Sequence, residues 1–503
     1  MHVSALFYTI KLNFDSSLYN ADTGRTMDLT SLTFLFLFFP IFLSSYLIAK
    51  PSLRLLLLSL ANLAFLVAGQ YAALLPLIGL GLVGYVFGRW IESNRAKKNV
   101  ASILLWLGIG INLGLLAIFK VAATYEIYPA VLSFFKVNGI VSLLGLSYIT
   151  FQIISYLIDI VRGTIPAETD VVKFMAYILF FPKLISGPIT RYKQFREQLS
   201  TLDPAIIDIA GGLRRILIGF IKRILIANQL GIVANAGFNL PTPNIEPHFA
   251  WLALIAYSLQ IYFDFSGYTD VALGLGKIIG ITLPENFNYP YIAQSISDFW
   301  RRWHITLSTW FREYVFYPLE RRRSKFMNQQ INLILVFLLT GLWHGPTLTF
   351  LVWGLIHGLA IAFESAGGGR WMKSWWQPLR HLYTILIVLF AWVFFRSPNL
   401  EYAFGFIGRL MGNQSGLMPL PFAQTSPFPF IEPSFLIITL AALLFSIPGA
   451  SLWRKIRERV ESSYRQYSFV LQMGEDIVVL GFFVLSIAAH LSGTFFPNIY
   501  AQF

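Results

Sequence analysis

Long apolar runs recur from one end of the chain to the other, and they constrain its fold more than any other feature. Several reach the roughly 20 residues that a helix needs to cross the hydrocarbon core of a bilayer. The sequence therefore predicts an all-α polytopic membrane protein. The runs lie at roughly 32–48, 53–69, 72–88, 101–119, 139–161, 206–234, 250–275, 331–364, 379–396, 434–448 and 476–491.

The composition agrees with a chain that lives in lipid. Hydrophobic residues make up 56% of the sequence and charged residues 13%, whereas globular proteins carry about one quarter charged residues. No polar block is long enough to form a soluble domain, so residues 30–503 are predicted to be a single membrane-embedded domain. Residues 1–29 form a polar N-terminal leader with no visible function, and Met27 is as good a candidate for the true start as Met1.

The chain is basic, with 38 Lys and Arg against 25 Asp and Glu and a net charge of +13. A basic chain can bind nucleic acid or a membrane, and the positions of the charges separate the two. Lys and Arg cluster near residues 95–98, 191–196 and 301–325, whereas the loops at about 235–248 and 412–433 contain none. This asymmetry assigns the basic loops to the cytoplasm. Membrane lipid is the expected partner, and no nucleic acid is expected.

Several familiar motifs of soluble enzymes are missing. The chain has no cysteine, which excludes disulfides, thiolate metal sites and a cysteine nucleophile. H-E-x-x-H and G-x-S-x-G do not occur, and no metal site is predicted. Gly79, Gly81 and Gly84 spell G-x-G-x-x-G, but the strand and acidic residue of a dinucleotide site are absent. Gly84 and Gly88 instead predict close contact between two membrane helices.

Two carboxylates interrupt the apolar span at 250–275. Asp264 and Asp270 are costly at membrane depth unless they are paired or wet. In a helix, Gln260, Asp264 and Tyr268 lie on one stripe at i, i+4 and i+8. These residues could line a path, bind a cation or anchor backbone, and a structural or pathway-lining role is favoured over direct catalysis.

The stretch DFWRRWHITLSTWFREY, which begins at Asp298, has a helical period of apolar residues. Trp300, His304, Leu307 and Phe311 recur at i, i+4, i+7 and i+11. This spacing predicts one amphipathic helix at the cytoplasmic surface of the membrane, with His304 facing inward.

A second histidine is predicted inside the membrane. The apolar run after Gln330 has about 15 residues before the Gly345-Pro346 break, or about 22 Å, which is short of a roughly 30 Å hydrocarbon core. His344 would then lie at membrane depth near a backbone break. A neutral imidazole there can take a proton from an alcohol as a general base. His357 would face nearly the opposite way on a continuous helix, so it is predicted to be a buried structural ring.

Five motifs together resemble a known family. FDFSGYTDVALGLG, ENFNYPY, DFWRRWHITLSTWFREY, GLWHG and WGLIHG are similar to motifs of the membrane-bound O-acyltransferases, and within them of the alginate O-acetyltransferase type. The resemblance extends from about Phe34 to the C-terminus. It implies a ring of about 11–13 transmembrane and re-entrant helices around a central tunnel, which joins a cytoplasmic acyl donor to an acceptor outside.

The resemblance also implies roles for single residues. His344 would deprotonate the acceptor hydroxyl, and His304 would orient or stabilise the acyl group. The residues assigned to the substrate tunnel or its support are Trp300, Trp303, Trp343, Asp264, Tyr268, Asp298, Asn286 and His357.

The function implied by the resemblance is O-acetylation at a bacterial inner membrane. The expected protein is multi-pass, holds no bound cofactor and uses acyl-CoA, in particular acetyl-CoA, as a co-substrate. Its expected partners are the acyl donor, a polysaccharide acceptor and a periplasmic SGNH-like acetyltransferase. Relatives commonly read PLGGNR where this chain has Glu320 and Arg321 after Pro318-Leu319, which leaves donor and partner open. The alternatives are D-alanyl transfer to a teichoic acid-type polymer and a non-enzymatic polysaccharide or lipid transporter.

Overall fold

The computed structural model describes residues 27–125, 127, 136–137, 140–141, 145–202, 206–322, 328–418, 433–463 and 468–491. These residues are almost entirely helical, which confirms the prediction of an all-α polytopic membrane protein. Seven helical stretches are long and apolar enough to span a bilayer: Pro51–Ser93, Lys98–Tyr125, Ile209–Phe238, Pro247–Ile279, Leu348–Met372, Gln377–Arg396 and Phe469–Leu491. The ring around a central tunnel stays a prediction.

The helices are numbered in chain order. They are α1 (Phe39–Ile48), α2 (Pro51–Gln70), α3 (Leu74–Ser93), α4 (Lys98–Tyr125), α5 (Leu146–Arg162), α6 (Val171–Ile178), α7 (Tyr192–Thr201), α8 (Ile209–Ile221), α9 (Asn228–Phe238), α10 (Pro247–Ile279), α11 (Ile296–Arg302), α12 (Ile305–Phe311), α13 (Tyr317–Arg321), α14 (Gln329–His344), α15 (Leu348–Phe363), α16 (Gly369–Met372), α17 (Gln377–Arg396), α18 (Leu400–Leu410), α19 (Pro433–Phe445), α20 (Gly449–Ser463) and α21 (Ser468–Leu491).

Short segments of other types join these helices. Wider π-helical turns occupy Phe34–Phe38, Lys222–Ala227, Arg312–Phe316 and Glu364–Gly368. Tighter 3₁₀ turns occupy Tyr71–Ala73, Phe181–Lys183, Thr242–Asn244 and Pro290–Ile292. Two short antiparallel strands, β1 (Lys136–Val137) and β2 (Ile140–Val141), pair Lys136 with Val141.

The end of the leader packs into the protein. Met27, Leu29 and Thr30 are buried, and the Met27 N–H donates to the carbonyl of Ala68 over 3.3 Å. The preceding residues, 1–26, lie outside the described range.

Glycines let α3 approach α5 closely. A Cβ atom on Gly84 would lie 2.8 Å from the Ile153 side chain, and one on Gly88 would lie 2.6 Å from the Tyr156 ring. No larger residue fits without displacing these side chains. This confirms that Gly84 and Gly88 serve helix contact.

The two carboxylates of α10 are paired. Asp264 bonds the guanidinium of Arg223 over 2.9 Å, and Asp270 contacts Arg215 at 2.7 Å and Lys222 at 2.6 Å. All three cations come from α8 and the π turn that follows it. A carboxylate at membrane depth was expected to need a partner, and both carboxylates have one. The ion pairs also hold α8 against α10.

The prediction of a single amphipathic helix that begins at Asp298 is wrong, because two short helices, α11 and α12, occupy this stretch. The backbone turns between α11 and α12, where His304 has φ = +41° and ψ = +55°. The Ile305 N–H donates to the carbonyl of Asn286 over 3.0 Å instead of to a helical carbonyl. The inward orientation holds nevertheless, because Trp300, His304 and Leu307 are buried.

The predicted break after His344 is confirmed. α14 ends at His344, Gly345 is fully extended, and α15 turns back along α14. Glycines again permit the contact, since a Cβ on Gly341 would lie 2.3 Å from the carbonyl oxygen of Phe350, and one on Gly354 would lie 2.3 Å from that of Phe337. The two motifs GLWHG and WGLIHG are thus the two arms of one tight helical hairpin.

The buried apolar side chains form two clusters. The N-terminal cluster includes residues of α1–α7 and the second half of α10, and the C-terminal cluster includes residues of α9, the first half of α10, α11, α15 and α17–α19. Trp303 belongs to the C-terminal cluster and Leu307 to the N-terminal one. His304 therefore lies at the seam between the clusters. The same holds for His344, which lies between Trp343 of one cluster and Phe350 of the other.

Candidate functional site

The C-terminal end of α14 is held in place by polar groups of α4. The last carbonyls of a helix have no intrahelical donor. The carbonyl of His344 accepts a hydrogen bond from Lys120 Nζ over 2.9 Å, and the hydroxyl of Tyr125 donates to the carbonyl of Pro346 over 3.0 Å. A cation is also favourable at the negative end of the helix dipole. Lys120 thus anchors the backbone that carries His344.

The imidazole of His344 is buried among aromatic rings. Its centroid lies 4.7 Å from Trp343, 4.9 Å from Phe395, 5.1 Å from Trp353 and 6.0 Å from Phe350. The side chain is 6% exposed. These walls exclude most water and strengthen any electrostatic interaction made at the ring.

Asn286 holds His304 on the other side of this region. Its Oδ1 lies 3.0 Å from Nδ1 of His304 and accepts hydrogen bonds from the N–H and hydroxyl of Thr306. The His304 ring stands edge-on to Phe265 at 4.8 Å, and its centroid lies 6.4 Å from Trp343. Since Trp343 also contacts His344, one indole joins the two histidines, which are 40 residues apart in sequence.

The left-handed backbone at His304 is unusual. Only Leu202, Tyr289 and His304 among the described non-glycine residues have positive φ. Such a conformation costs about 1–3 kcal/mol and persists where the surroundings impose it, often at functional sites. Here Asn286 imposes it by accepting from Ile305 with its carbonyl and from Thr306 with its side chain.

Several buried polar atoms around Trp343 have no hydrogen-bond partner within the described part of the chain. They are Nε2 of His304, Nδ2 of Asn286, Nε1 of Trp343 and the hydroxyl of Tyr148, whose ring lies 6.0 Å from that of Trp343. Buried polar groups in native proteins are nearly always hydrogen-bonded, so such a group calls for a partner outside the polypeptide. Four of them in one neighbourhood indicate a binding site for polar ligand atoms.

His357 lies beside this site and has a partner. Its Nδ1 accepts from the indole N–H of Trp300 over 3.3 Å, and its ring is parallel to Phe299 at 6.2 Å. Trp353 contacts both His344 and His357. His357 is thus a buried ring bonded to a neighbour, in a second layer behind His344.

The remaining residues assigned to the tunnel or its support fall into two groups. Trp303 continues the aromatic wall, at 5.1 Å from Trp392 and from Phe287. Tyr268 lies in the paired region of α10, with its ring 5.8 Å from the guanidinium of Arg223.

Asp264 and Asp298, the two carboxylates predicted to support the tunnel, both bond arginines. Asp264 pairs with Arg223, as described above. Asp298 sits in the first turn of α11 and pairs with Arg302 over 3.0 Å, with its side chain 24% exposed. Both carboxylates stabilise helices. The described residues also contain no group of three or more His, Cys, Asp or Glu that could hold a metal ion.

The sequence did not single out Lys120, Tyr148, Thr306 or Ile189. The Ile189 N–H donates to the hydroxyl of Thr306 over 3.1 Å, which places the buried segment after Phe181–Lys183 against Asn286 and His304. A lysine at the end of an apolar run was the visible signal for Lys120. Nothing local marks Thr306 or Ile189, because their importance comes from contacts between distant segments.

The sequence is similar to those of several known membrane proteins. The pattern of the MBOAT, membrane-bound O-acyltransferase family, matches residues 164–403. The chain is 34% identical to the probable alginate O-acetylase AlgI of Pseudomonas putida over 490 residues, covering 95% of this chain and 100% of the relative. It is 34% identical to the peptidoglycan O-acetyltransferase of Helicobacter pylori (75% and 79% covered) and 34% identical to the teichoic acid D-alanyltransferase of Bacillus subtilis (51% and 67% covered).

Proposed function

Because the chain belongs to the membrane-bound O-acyltransferase family, and is thus a multi-pass membrane O-acyltransferase, we propose that it moves an acetyl group towards a hydroxyl of an exported polysaccharide. The observation that supports this proposal most is the pair of buried histidines that both lie against Trp343, beside polar atoms that have no hydrogen-bond partner among the described residues. Such a site offers basic imidazoles and hydrogen-bonding groups to a substrate, and its buried position excludes most water.

In the proposed reaction, His344 is the general base. It takes the proton of the acceptor hydroxyl while that oxygen attacks the carbonyl carbon of the thioester. The new C–O bond forms, the C–S bond breaks, and the proton passes from His344 to the leaving thiolate. The products are an ester and a free thiol. General-base assistance of this kind contributes about 10²–10⁴ in rate, and the aromatic walls keep water from competing with the hydroxyl.

The donor in this proposal is acetyl-CoA, which reaches the site from the cytoplasmic side of a bacterial inner membrane. The basic loops of the sequence support that orientation. A periplasmic SGNH-like acetyltransferase is proposed to act together with this protein on the polymer, whose hydroxyl is the acceptor. His304 positions the reacting groups opposite His344.

D-alanyl transfer to a teichoic acid-type polymer is the second candidate. The relative with that name aligns with 51% of this chain, whereas the alginate O-acetylase aligns with 95%. The greater coverage favours acetylation of a polysaccharide. A transporter without chemistry is the third candidate, and it would need no general base at position 344.

The proposal is tested on the surface glycans of the bacterium. A deletion strain is complemented with the wild type, with His344→Ala or with His248→Ala, where His248 pairs with Glu246 outside the histidine site. Mass spectrometry should find O-acetyl esters on the glycans of the wild-type and His248→Ala strains and none with His344→Ala, at equal amounts of protein in the membrane.

Each alternative gives a different pattern. Missing D-alanine with intact O-acetyl esters would indicate the teichoic acid reaction. Glycans that fail to reach the surface, with export restored equally by His344→Ala and wild type, would indicate a transporter and refute the proposal.

A further inference from the structure

A directional chain of hydrogen bonds ends at His304. The Ile189 N–H donates to Oγ1 of Thr306 over 3.1 Å, and Oγ1 of Thr306 donates to Oδ1 of Asn286 over 2.9 Å. The Thr306 N–H donates to the same Oδ1 over 3.2 Å, and Nδ1 of His304 lies 3.0 Å from it. All four residues are buried within the protein.

The donors in this chain fix the state of the imidazole. A backbone N–H can only donate, so the amide atom that faces Thr306 must be the oxygen of Asn286 and not its nitrogen. An amide oxygen can only accept, so the Nδ1 atom of His304 must carry a proton. The Phe265 and Trp343 rings around the imidazole disfavour the charged form with a second proton. Nε2 of His304 is therefore a bare acceptor.

We propose that Asn286, whose oxygen is oriented by the backbone N–H of Thr306, is a positioning residue that holds His304 with its proton on Nδ1, so that Nε2 accepts a hydrogen bond from an O–H or N–H group of a substrate. The proposal deepens, and rests on, the proposed acyl transfer. It differs from a role for His304 in stabilising the acyl carbonyl, because a carbonyl oxygen needs a donor and Nε2 in this state has no proton to give. The Nε2 atom is buried and has no partner among the described residues.

His357 shows that the protein sets each imidazole separately. The indole N–H of Trp300 can only donate, and it points to Nδ1 of His357. This ring therefore carries its proton on Nε2, the opposite state from His304. Two histidines in one region thus have opposite tautomers, each dictated by one neighbour that cannot change its role.

Two substrate groups have the chemistry that a bare Nε2 recognises. One is the hydroxyl of the acceptor sugar, and the other is an amide N–H of the pantetheine arm of acyl-CoA. A hydrogen bond to Nε2 of His304 would orient whichever of these groups is bound, while His344 takes the proton of the acceptor hydroxyl. Loss of one such hydrogen bond to a neutral group lowers kcat/KM about tenfold.

The first test observes the tautomer directly. The full chain is labelled with ¹⁵N and ¹³C histidine, embedded in lipid nanodiscs and studied by NMR, and His304→Ala identifies the signals of His304. We expect a protonated Nδ1 and an unprotonated Nε2 in the wild type. Asn286→Leu, which keeps the branched shape and removes the acceptor, should shift the proton towards Nε2. A wild-type His304 with its proton on Nε2 would overturn the proposal.

A matched variant separates positioning from stability. Thr306→Val removes the hydroxyl but keeps the backbone N–H that orients the Asn286 oxygen. It should lower the melting temperature slightly while the His304 tautomer stays as in the wild type. If Asn286→Leu also leaves the tautomer unchanged, Asn286 has a purely structural role and the proposal fails.

The second test asks which substrate group is bound. Initial rates are measured with acetyl-CoA and a deacetylated alginate oligosaccharide as probes, for wild type and Asn286→Leu. A KM raised about tenfold for the oligosaccharide alone identifies the sugar hydroxyl, and the same rise for acetyl-CoA alone identifies the pantetheine amide. If the tautomer shifts and neither KM changes, Nε2 does not bind substrate and the proposal is wrong.

The NMR experiment separates the state of His304 from the proposed acyl transfer. The NMR experiment needs no turnover, so it tests the state of His304 even if the donor or acceptor has been misassigned. A wild-type protein that consumes no acetyl-CoA, with the expected tautomer, refutes the proposed acetyl donor and leaves the positioning by Asn286 standing.

Discussion

Two regions of this protein bury polar side chains in an apolar setting, and they do so in opposite ways. Between α8 and α10, Arg223 bonds Asp264, and Arg215 and Lys222 bond Asp270, so that opposite charges neutralise each other. Around Trp343 the ring and amide side chains are held by hydrogen bonds and not by ion pairs, and several of their atoms have no partner among the described residues. In the first region each buried carboxylate has a cation as its partner within the chain. The second has hydrogen-bonding capacity in reserve, which is what a substrate site requires.

The difference separates side chains that hold the structure from side chains available for chemistry. Polar and charged side chains are costly at membrane depth, so the sequence alone marks residues of both regions as candidates for a function. The bonding partners of these side chains distinguish the structural residues from the candidates for chemistry. A carboxylate bonded to arginine has little freedom to act as a base, whereas an imidazole with a bare nitrogen can accept a proton.

The largest effect is expected in the paired region. Arg223→Met leaves the carboxylate of Asp264 buried without this partner, which costs about 3–5 kcal/mol of stability. The double variant Arg223→Met/Asp264→Leu removes both charges and should recover part of that loss, because Asp28, which contacts Arg223 at 3.3 Å, still loses its partner. Chemical denaturation in detergent micelles measures both. A double variant as unstable as the single one would contradict the view that the region is a neutralised structural pair.

Effects of intermediate size are expected when two tryptophans with different hydrogen-bond partners are replaced. The Trp343 N–H has no partner in the part of the chain that the structure describes, whereas the Trp310 N–H donates to the carbonyl of Phe151 over 3.0 Å. Trp343→Phe should lower acyl transfer about tenfold with little change in stability, if the N–H contacts substrate. Trp310→Phe should cost about 1–3 kcal/mol of stability because the Phe151 carbonyl loses its donor, and it should leave the rate per folded molecule unchanged.

The rate of acyl transfer and the stability must both be measured for Trp343→Phe and Trp310→Phe. The rate is measured with thioester substrate, and the midpoint of thermal unfolding is measured in the same detergent. If the two variants lose rate and stability in the same proportion, the unpartnered atoms near Trp343 are not a substrate site.

The smallest effect is expected at an ion pair outside the apolar region. Asp208 caps the N-terminus of α8, and the N–H of Gly211 together with Lys277 holds the pKa of its carboxyl below the usual range. Its side chain is 49% exposed, so Asp208→Asn, which keeps a good helix cap, should change stability by about 0.5 kcal/mol or less at pH 7.

The pH dependence of this pair has a definite sign. A carboxyl with a lowered pKa in the folded state stabilises the protein above its unfolded pKa of about 3.9, and the contribution is lost as the pH falls through the folded value. Acidification from pH 6 to pH 3 should therefore destabilise the wild type slightly more than Asp208→Asn. An equal loss in both would show that the carboxylate makes no net contribution.

The sequence predicted the parts of the site that depend on local pattern. The Gly345-Pro346 pair predicted the end of a helix next to His344, and the structure has α14 end there. The requirement that Asp264 be paired was also predictable, because the cost of burying a charge does not depend on the fold. Its partner Arg223 was not, since 41 residues of chain separate them.

The error at His304 has a clear physical origin. The period of Trp300, His304, Leu307 and Phe311 correctly marks the buried side, but periodicity does not report a one-residue break in the helix. That break depends on Asn286, whose backbone and side chain take over the N–H groups of Ile305 and Thr306. Lys120 was missed for the same reason, because it acts through a carbonyl far along the chain.

The most direct test of the central claim is the initial rate of acyl transfer by the purified protein in proteoliposomes. Labelled acetyl-CoA is supplied on one side, and wild type, His344→Ala and His248→Ala are compared at equal folded concentration. The account predicts that His344→Ala loses at least about 10²-fold in rate with an unchanged melting temperature, while His248→Ala matches the wild type. A folded His344→Ala protein that transfers acetyl within about threefold of the wild-type rate would contradict it.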